Sequence, residues 1–167
     1  ATIPTGIIGF AAQDLIALAS KSLLAPGIGL IMTAILLIIS DAVETGNKIP
    51  KDISFTSSFL IGIAQGLSTL PGLSRSGTTI AACLISGYDK RFAVKYSFIM
   101  AIPAILGAAC LEISQIGGSN VSISQFFIYL VGAVVSGIVG YFCMKKMLTI
   151  VRKKKFRGFA IYCLILG

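Results

Sequence analysis

The sequence predicts an all-α polytopic membrane protein, built of transmembrane helices and one re-entrant helical hairpin. Three observations predict it. Of 167 residues, 56% are hydrophobic and 12% charged, with a mean hydropathy of +0.94. Soluble domains carry about 25% charged residues, and a soluble core this poor in charge would lack the polar surface to cover it. Glycine is frequent, with 18 residues, which suits closely packed membrane helices. Positive charge is not spread evenly along the chain. Seven of the 14 basic residues lie between Lys145 and Arg157, giving much of the net charge of +8. In a soluble protein that cluster would suggest nucleic acid. Between two apolar runs it reads as a cytoplasmic loop obeying the positive-inside rule, with a surface for anionic lipid, and no nucleic-acid partner is expected.

The elements follow in order. Ile3 to Ala19 is the first apolar segment, interrupted by Gln13 and Asp14. Asp14 is costly in lipid and is expected either at the interface or facing the protein interior. Ser20 to Pro26 is a short connection, with Pro26 suited to a first helical turn. Gly27 to Ser40 spans with its flanks and ends near Asp41 and Glu44. These two acids share one helical face and could bind a metal, but a solvated helix end is the expected reading. Gly46 to Asp52 is a polar loop with Lys48 and Lys51. Phe55 to Leu70 is apolar up to Pro71, and Thr78 to Gly87 follows. Phe92 to Ile113 is a long helix with a kink expected at Pro103. Gln115 to Ser122 is a neutral loop. Ile123 to Met144 spans, and its Gly132, Ser136 and Gly140 predict a close-packing face. Phe159 to Leu166 is too short to span. The chain is expected to be one membrane domain over residues 1–167 and a fragment of a longer protein.

Charge then predicts topology. The connections at Lys48/Lys51, at Lys90/Arg91 and over 145–157 are basic, and the Gln115 to Ser122 loop is not. The basic three belong in the cytoplasm and the neutral one outside. Residues 53–87 therefore leave the cytoplasm and return to it. A span needs roughly 20 residues, and the returning arm has about half that. A re-entrant hairpin with its tip at 70–77 is the consistent solution.

That tip carries the polar chemistry. In QGLSTLPGLSRSGTTI (65–80), Pro71, Gly66, Gly72 and Gly77 interrupt the helix. Ser74, Ser76, Thr78 and Thr79 surround Arg75. Free N–H groups and the positive dipole end of a new helix favour an anion, and arginine offers a planar fork matching phosphate oxygens. Irregular backbone at membrane depth is tolerated only inside protein or along a wet cavity, so a buried Arg75 is a candidate functional residue. A snorkelling arginine is the structural alternative. There is no histidine, the commonest general base. Cys83, Cys110, Cys143 and Cys163 lie singly in apolar runs and read as helix residues.

The run AQGLSTLPGLSRSGTTI closely resembles the second signature of the bacterial undecaprenyl-diphosphate phosphatases, the bacitracin-resistance family. FAVKYSFIMAIPAILGA resembles that family's following helix with its xxPxxxGA pattern, FRGFAIY the start of its last helix, and IPTGIIGFAAQD a helix from mid-chain. The resemblance covers essentially all 167 residues. It implies half of an inverted-repeat architecture in the bacterial plasma membrane, with a site facing the outer side. It implies hydrolysis of undecaprenyl diphosphate to undecaprenyl phosphate, a polyprenyl diphosphate partner and possible homodimers. It also implies a divalent cation, Mg or Ca. Arg75, Ser74, Ser76 and Thr79 would then act catalytically, and Gly72, Gly77, Thr78 and Gln65 would bind substrate. The family's other signature, with two glutamates four apart, serines and a histidine, is absent. The related positions here are Gln65 and Thr69. No metal ligands are therefore expected in this chain, and the chain alone is expected to be inactive. The alternatives are a lipid-phosphate binder or flippase without enzymatic activity, and a transporter with broken helices.

Overall fold

The computed structural model describes residues 1–43, 46–116, 123–152 and 156–167. Among them are eight α-helices and one 3-10 turn at Pro50–Asp52, with no strand. The helices are α1 (Thr2–Ala11), α2 (Gln13–Ala19), α3 (Leu24–Ala42), α4 (Phe55–Leu67), α5 (Arg75–Ile85), α6 (Lys90–Ile116), α7 (Ile123–Arg152) and α8 (Arg157–Leu166). Three of them contain stretches long and apolar enough to cross a membrane: Leu24–Ala42, Lys90–Glu112 and Ser124–Met147. The pair α1 and α2 adds a fourth if it is one span, bent by 60°. The chain is a multi-pass α-helical membrane protein.

The predicted first segment is therefore two helices. Its break falls at Ala12, just before the polar pair Gln13 and Asp14, and Asp14 is exposed rather than turned inward. Pro26 sits in the first turn of α3 as expected. α7 continues two turns past Met144, so Lys145 to Arg152 are helical and the basic stretch 145–157 is not a loop throughout. Lysine, methionine and leucine are good helix formers, and no glycine or proline stops the helix there.

α4 and α5 form a hairpin of 13 and 11 residues. Ser54 caps α4 by accepting from Ser57 N at 3.1 Å. α5 is the centre of the packed interior: it touches α3, α4 and α6, and Gly77 to Ala81, Cys83 and Leu84 are buried. α1 lies along α4 because glycines let it approach. A Cβ on Gly62 would stand 2.6 Å from Pro4 Cγ, and one on Gly66 would stand 2.7 Å from Ile8 Cβ. The Thr5 hydroxyl adds a hydrogen bond to Gly62 O at 2.8 Å.

The tip is fastened to α3. Gly72 has a φ of +85°, a left-handed conformation natural to glycine, and a Cβ on it would fall 2.8 Å from Pro26 Cα. One on Gly29 would meet Pro71 and lie 2.9 Å from Gly72 Cα. The Thr33 hydroxyl accepts from Ser74 N at 2.9 Å and lies 3.1 Å from Gly72 O. This anchor is 13 residues from Ala42 counted back along α3 to Gly29. At 1.5 Å per residue, that puts the tip about 20 Å above the basic end.

The basic connections do share one end. Lys48 N donates to Gly87 O at 3.2 Å, and Asp89 N donates back to Lys48 O at 3.0 Å. Lys48 Nζ reaches Ser86 O at 2.9 Å. Asp41 ties three helices there. It pairs with Lys90 Nζ at 3.3 Å and accepts from Phe156 N at 2.9 Å, while Lys90 sits 4.7 Å from the Phe156 ring centre. The expected solvated helix end is corrected: both side chains of the pair are only 10% exposed. The cause is tertiary, since the starts of α6 and α8 bring a cation and an N–H group onto the carboxylate. Glu44, the neutral loop over 117–122 and Lys153 to Lys155 lie outside the described residues.

The small-residue stripe of α7 does not pack as predicted. A Cβ on Gly132 or Gly140 would meet nothing within 4 Å, and none of the Ser124–Met147 stretch is buried.

Candidate functional site

Ser74 sets the start of α5. Its hydroxyl accepts from Gly77 N at 3.2 Å, and its carbonyl accepts from Thr78 N at 2.9 Å. The helix therefore begins at Arg75, three residues before the Thr78 expected from hydropathy. Gly77 is small for this cap: a Cβ there would stand 3.1 Å from Ser74 Oγ. The N–H groups of Arg75 and Ser76 point out of the first turn with no partner among the described residues. They are the unpaired donors that make a helix start attractive to anions.

Arg75 is half-buried and lines a cleft of about 330 Å³ between α1, α6 and the hairpin tip. Its guanidinium has no hydrogen-bond or ion-pair partner among the described residues; the one ion pair there joins Asp41 and Lys90. Thr69 and Gln13 also line the cleft, and Phe10, Pro103, Ala104 and Leu111 give it apolar walls. A cation with five donors at the end of an apolar cleft suits a ligand with an anionic head and a greasy body. The lining runs along α6 from Pro103 to Leu111, away from Lys90. The cleft therefore extends toward the end of the bundle opposite the basic connections.

The other predicted site residues are placed differently. The Thr78 hydroxyl donates to Ser74 O at 2.9 Å, and the buried Thr79 hydroxyl donates to Arg75 O. Both protons are committed to the helix backbone, so these threonines brace the first turn. Ser76 lines a second cavity of about 750 Å³ with Phe98, Met147 and Phe159. Arg75 and Ser76 are thus turned into different cavities, as a helix turning 100° per residue requires of neighbours. Gly72 packs against Pro26 and Gly77 against the cap. Gln65 is buried at the end of α4, donating Nε2 to Met100 O at 3.3 Å, and its Oε1 has no partner among the described residues. It does not line the cleft. Thr33, Gly6 and Gly9 shape the site from outside the motif, and hydropathy carried no signal for them.

A divalent cation would need oxygen-rich or imidazole ligands. Among the described residues, no group of three His, Cys, Asp or Glu could hold one, and the cleft is lined by no carboxylate. These residues do not fit a metal centre by themselves.

Comparison with known proteins agrees with the chemistry of the tip. The family model described as bacitracin resistance protein BacA matches residues 1–167. Relatives named undecaprenyl-diphosphatase are similar along nearly the whole chain. The protein of Halothermothrix orenii is 36% identical over 165 residues, covering 99% of this chain and 64% of the relative. That of Methanosphaera stadtmanae is 39% identical over 166 residues, covering 99% and 59%. That of Alkaliphilus metalliredigens is 36% identical over 167 residues, covering 100% and 61%. The chain thus spans about three-fifths of the length of the curated relatives it matches. With the model matched from end to end and the SRSG turn opening α5 at the cleft, the chain belongs to the BacA bacitracin resistance protein family.

Proposed function

We propose that this chain supplies the phosphate-binding half of a plasma-membrane phosphatase that hydrolyses undecaprenyl diphosphate to undecaprenyl phosphate. The observation that carries the reading is Arg75: a half-buried, unpartnered guanidinium at the start of a buried helix, facing a cleft with apolar walls. A half-buried cation without a protein partner is well placed to pair with an anionic ligand. The shared name of the relatives supplies the substrate class.

In this reading α4 and α5 are a re-entrant hairpin. Helices of 13 and 11 residues reach only about 20 and 16 Å, short of a hydrocarbon core of about 30 Å. The basic end lies in the cytoplasm, and the cleft then opens to the outer side. The diphosphate lies against Arg75 and the N–H groups of Arg75 and Ser76. A water oxygen attacks the terminal phosphorus and the anhydride P–O bond breaks, leaving the lipid monophosphate and inorganic phosphate. Charge develops on the phosphoryl oxygens as this happens. Arg75 and the helix start stabilise it from fixed positions, with no reorganisation at the moment of reaction. Ser74, Thr78 and Thr79 keep those donors in place, and Ser76 contributes its backbone N–H while its hydroxyl faces the second cavity. Gly72 holds the tip against α3, and Gln65 joins α4 to α6 beneath it. A divalent cation such as Mg or Ca, expected for the family, would have to take its ligands from outside the described residues and would supply charge neutralisation at the phosphate.

A lipid-phosphate carrier is the second reading, favoured by a cleft without carboxylate, histidine or cysteine. Full-length protein given undecaprenyl diphosphate in vesicles separates the two. The phosphatase reading expects one inorganic phosphate released for each undecaprenyl phosphate formed. Transfer of the intact diphosphate across the vesicle, with no phosphate released, would establish the carrier instead.

A further inference from the structure

Buried hydroxyls in this protein donate to backbone carbonyls. Thr5, Thr33, Ser40, Ser68, Thr78 and Thr79 all do so. Two buried polar side chains depart from that pattern. Gln65 is 1% exposed, and its Oε1 has no partner among the described residues. Ser97 is 4% exposed, and its hydroxyl makes no hydrogen bond among those residues. A buried carboxamide oxygen that has lost its hydration is costly, and native proteins supply it with a donor or an ordered water.

The two groups belong to one place. Gln65 Nε2 donates to Met100 O at 3.3 Å, which lays the carboxamide of α4 against α6. Ser97 stands three residues before Met100, and Val94, Ser97 and Met100 form one buried stripe of α6. One group lacks a donor and the other has a proton to donate, yet no direct hydrogen bond joins them. We propose that a single buried water bridges them, donating to Gln65 Oε1 and accepting from the Ser97 hydroxyl. Polar groups of this kind are what hold buried waters in folded proteins. The joint lies beneath the cleft. Gln65 is six residues before Pro71, where the tip begins, and Met100 is three residues before Pro103, which lines the cleft with Arg75. Gln65, Ser97 and the water therefore fix the distance between the hairpin that carries Arg75 and the α6 wall. Gln65 and Ser97 are positioning residues, since neither lines the cleft. The water site stands apart from the phosphatase reading; its effect on turnover rests on that reading.

Two measurements on the full-length protein test it. In an experimental structure that shows ordered water, a density peak is expected within hydrogen-bond distance of both Gln65 Oε1 and Ser97 Oγ. A protein group filling that position, or a direct bond between the two side chains, would overturn the proposal. The second measurement is a cycle of Gln65→Met, Ser97→Ala and the double variant, assayed with undecaprenyl diphosphate. Each single change is expected to lower kcat roughly tenfold at unchanged KM, the scale of a small misplacement of catalytic groups. The double variant is expected to be no worse than Gln65→Met, because both changes empty one site. Losses that multiply, or a rise in KM at unchanged kcat, would overturn the shared positioning role. If the unsubstituted protein hydrolyses no diphosphate, the phosphatase reading fails, and the density alone decides the water site.

Discussion

Helices α5 and α7 invert the rule familiar from soluble proteins. α5 opens with arginine, serine, glycine and two threonines, and most of it is buried. The α7 stretch Ser124–Met147 has a mean hydropathy of 2.1, and none of it is buried. Lipid is as apolar as leucine, so apolar side chains gain nothing by leaving it. Polar groups do gain, because only protein can satisfy them at that depth. In this molecule hydropathy marks the outside, and the less hydrophobic helix marks the inside. The glycines divide the same way. Gly62, Gly66, Gly72 and Gly77 at the hairpin stand against neighbouring backbone or side chains, and Gly132, Gly137 and Gly140 on α7 face open space.

Substitutions around the buried hairpin and on the exposed α7 are expected to differ accordingly. The largest effect on stability is expected at Gly72→Ala. It combines a Cβ in a left-handed conformation with a clash against Pro26, at a cost of roughly 3 kcal/mol or more. Unfolding of the full-length protein in mixed detergent micelles measures it, and a change under 1 kcal/mol would mean the tip is not seated on α3. Asp41→Ala is expected to cost about 3 kcal/mol in the same assay, because it leaves the buried Lys90 cation without its partner. Thr33→Val keeps the shape but removes the acceptor for Ser74 N and the donor beside Gly72 O, a loss of about 1–2 kcal/mol. Gly132→Leu on α7 should stay within about 0.5 kcal/mol. A loss above 1 kcal/mol there would show that this face packs against protein rather than lipid.

Much of the architecture could be read from the residues themselves. Long apolar runs mark α3, α6 and α7, and Pro71 with its glycines marks the hairpin. Hydropathy could not find the break at Ala12, because no proline or glycine stands there and the polar pair Gln13–Asp14 reads equally well as an interface. The start of α5 was visible in principle in Ser74, a good cap three residues before Gly77, but the apolar run begins only later. The Asp41 cluster was illegible. Its partners Lys90 and Phe156 lie 49 and 115 residues away, and only the fold brings them together. The motif itself was legible as a group of residue types. It did not say that Thr78 and Thr79 donate to the backbone, or that Arg75 and Ser76 face different cavities. Those depend on where the helix begins, and a one-residue shift would turn Arg75 away from the cleft.

The central claim is that Arg75 is held unpaired for a phosphate and contributes nothing to holding the hairpin together. The direct measurement is Arg75→Ala in the full-length protein, with undecaprenyl diphosphate hydrolysis and detergent unfolding followed on the same preparation. The expected result is a fall in kcat of about a hundredfold or more, the scale of removing one fixed donor from developing charge, with stability unchanged or higher. Near-normal hydrolysis, or a loss of activity that tracks a loss of folded protein, would contradict it.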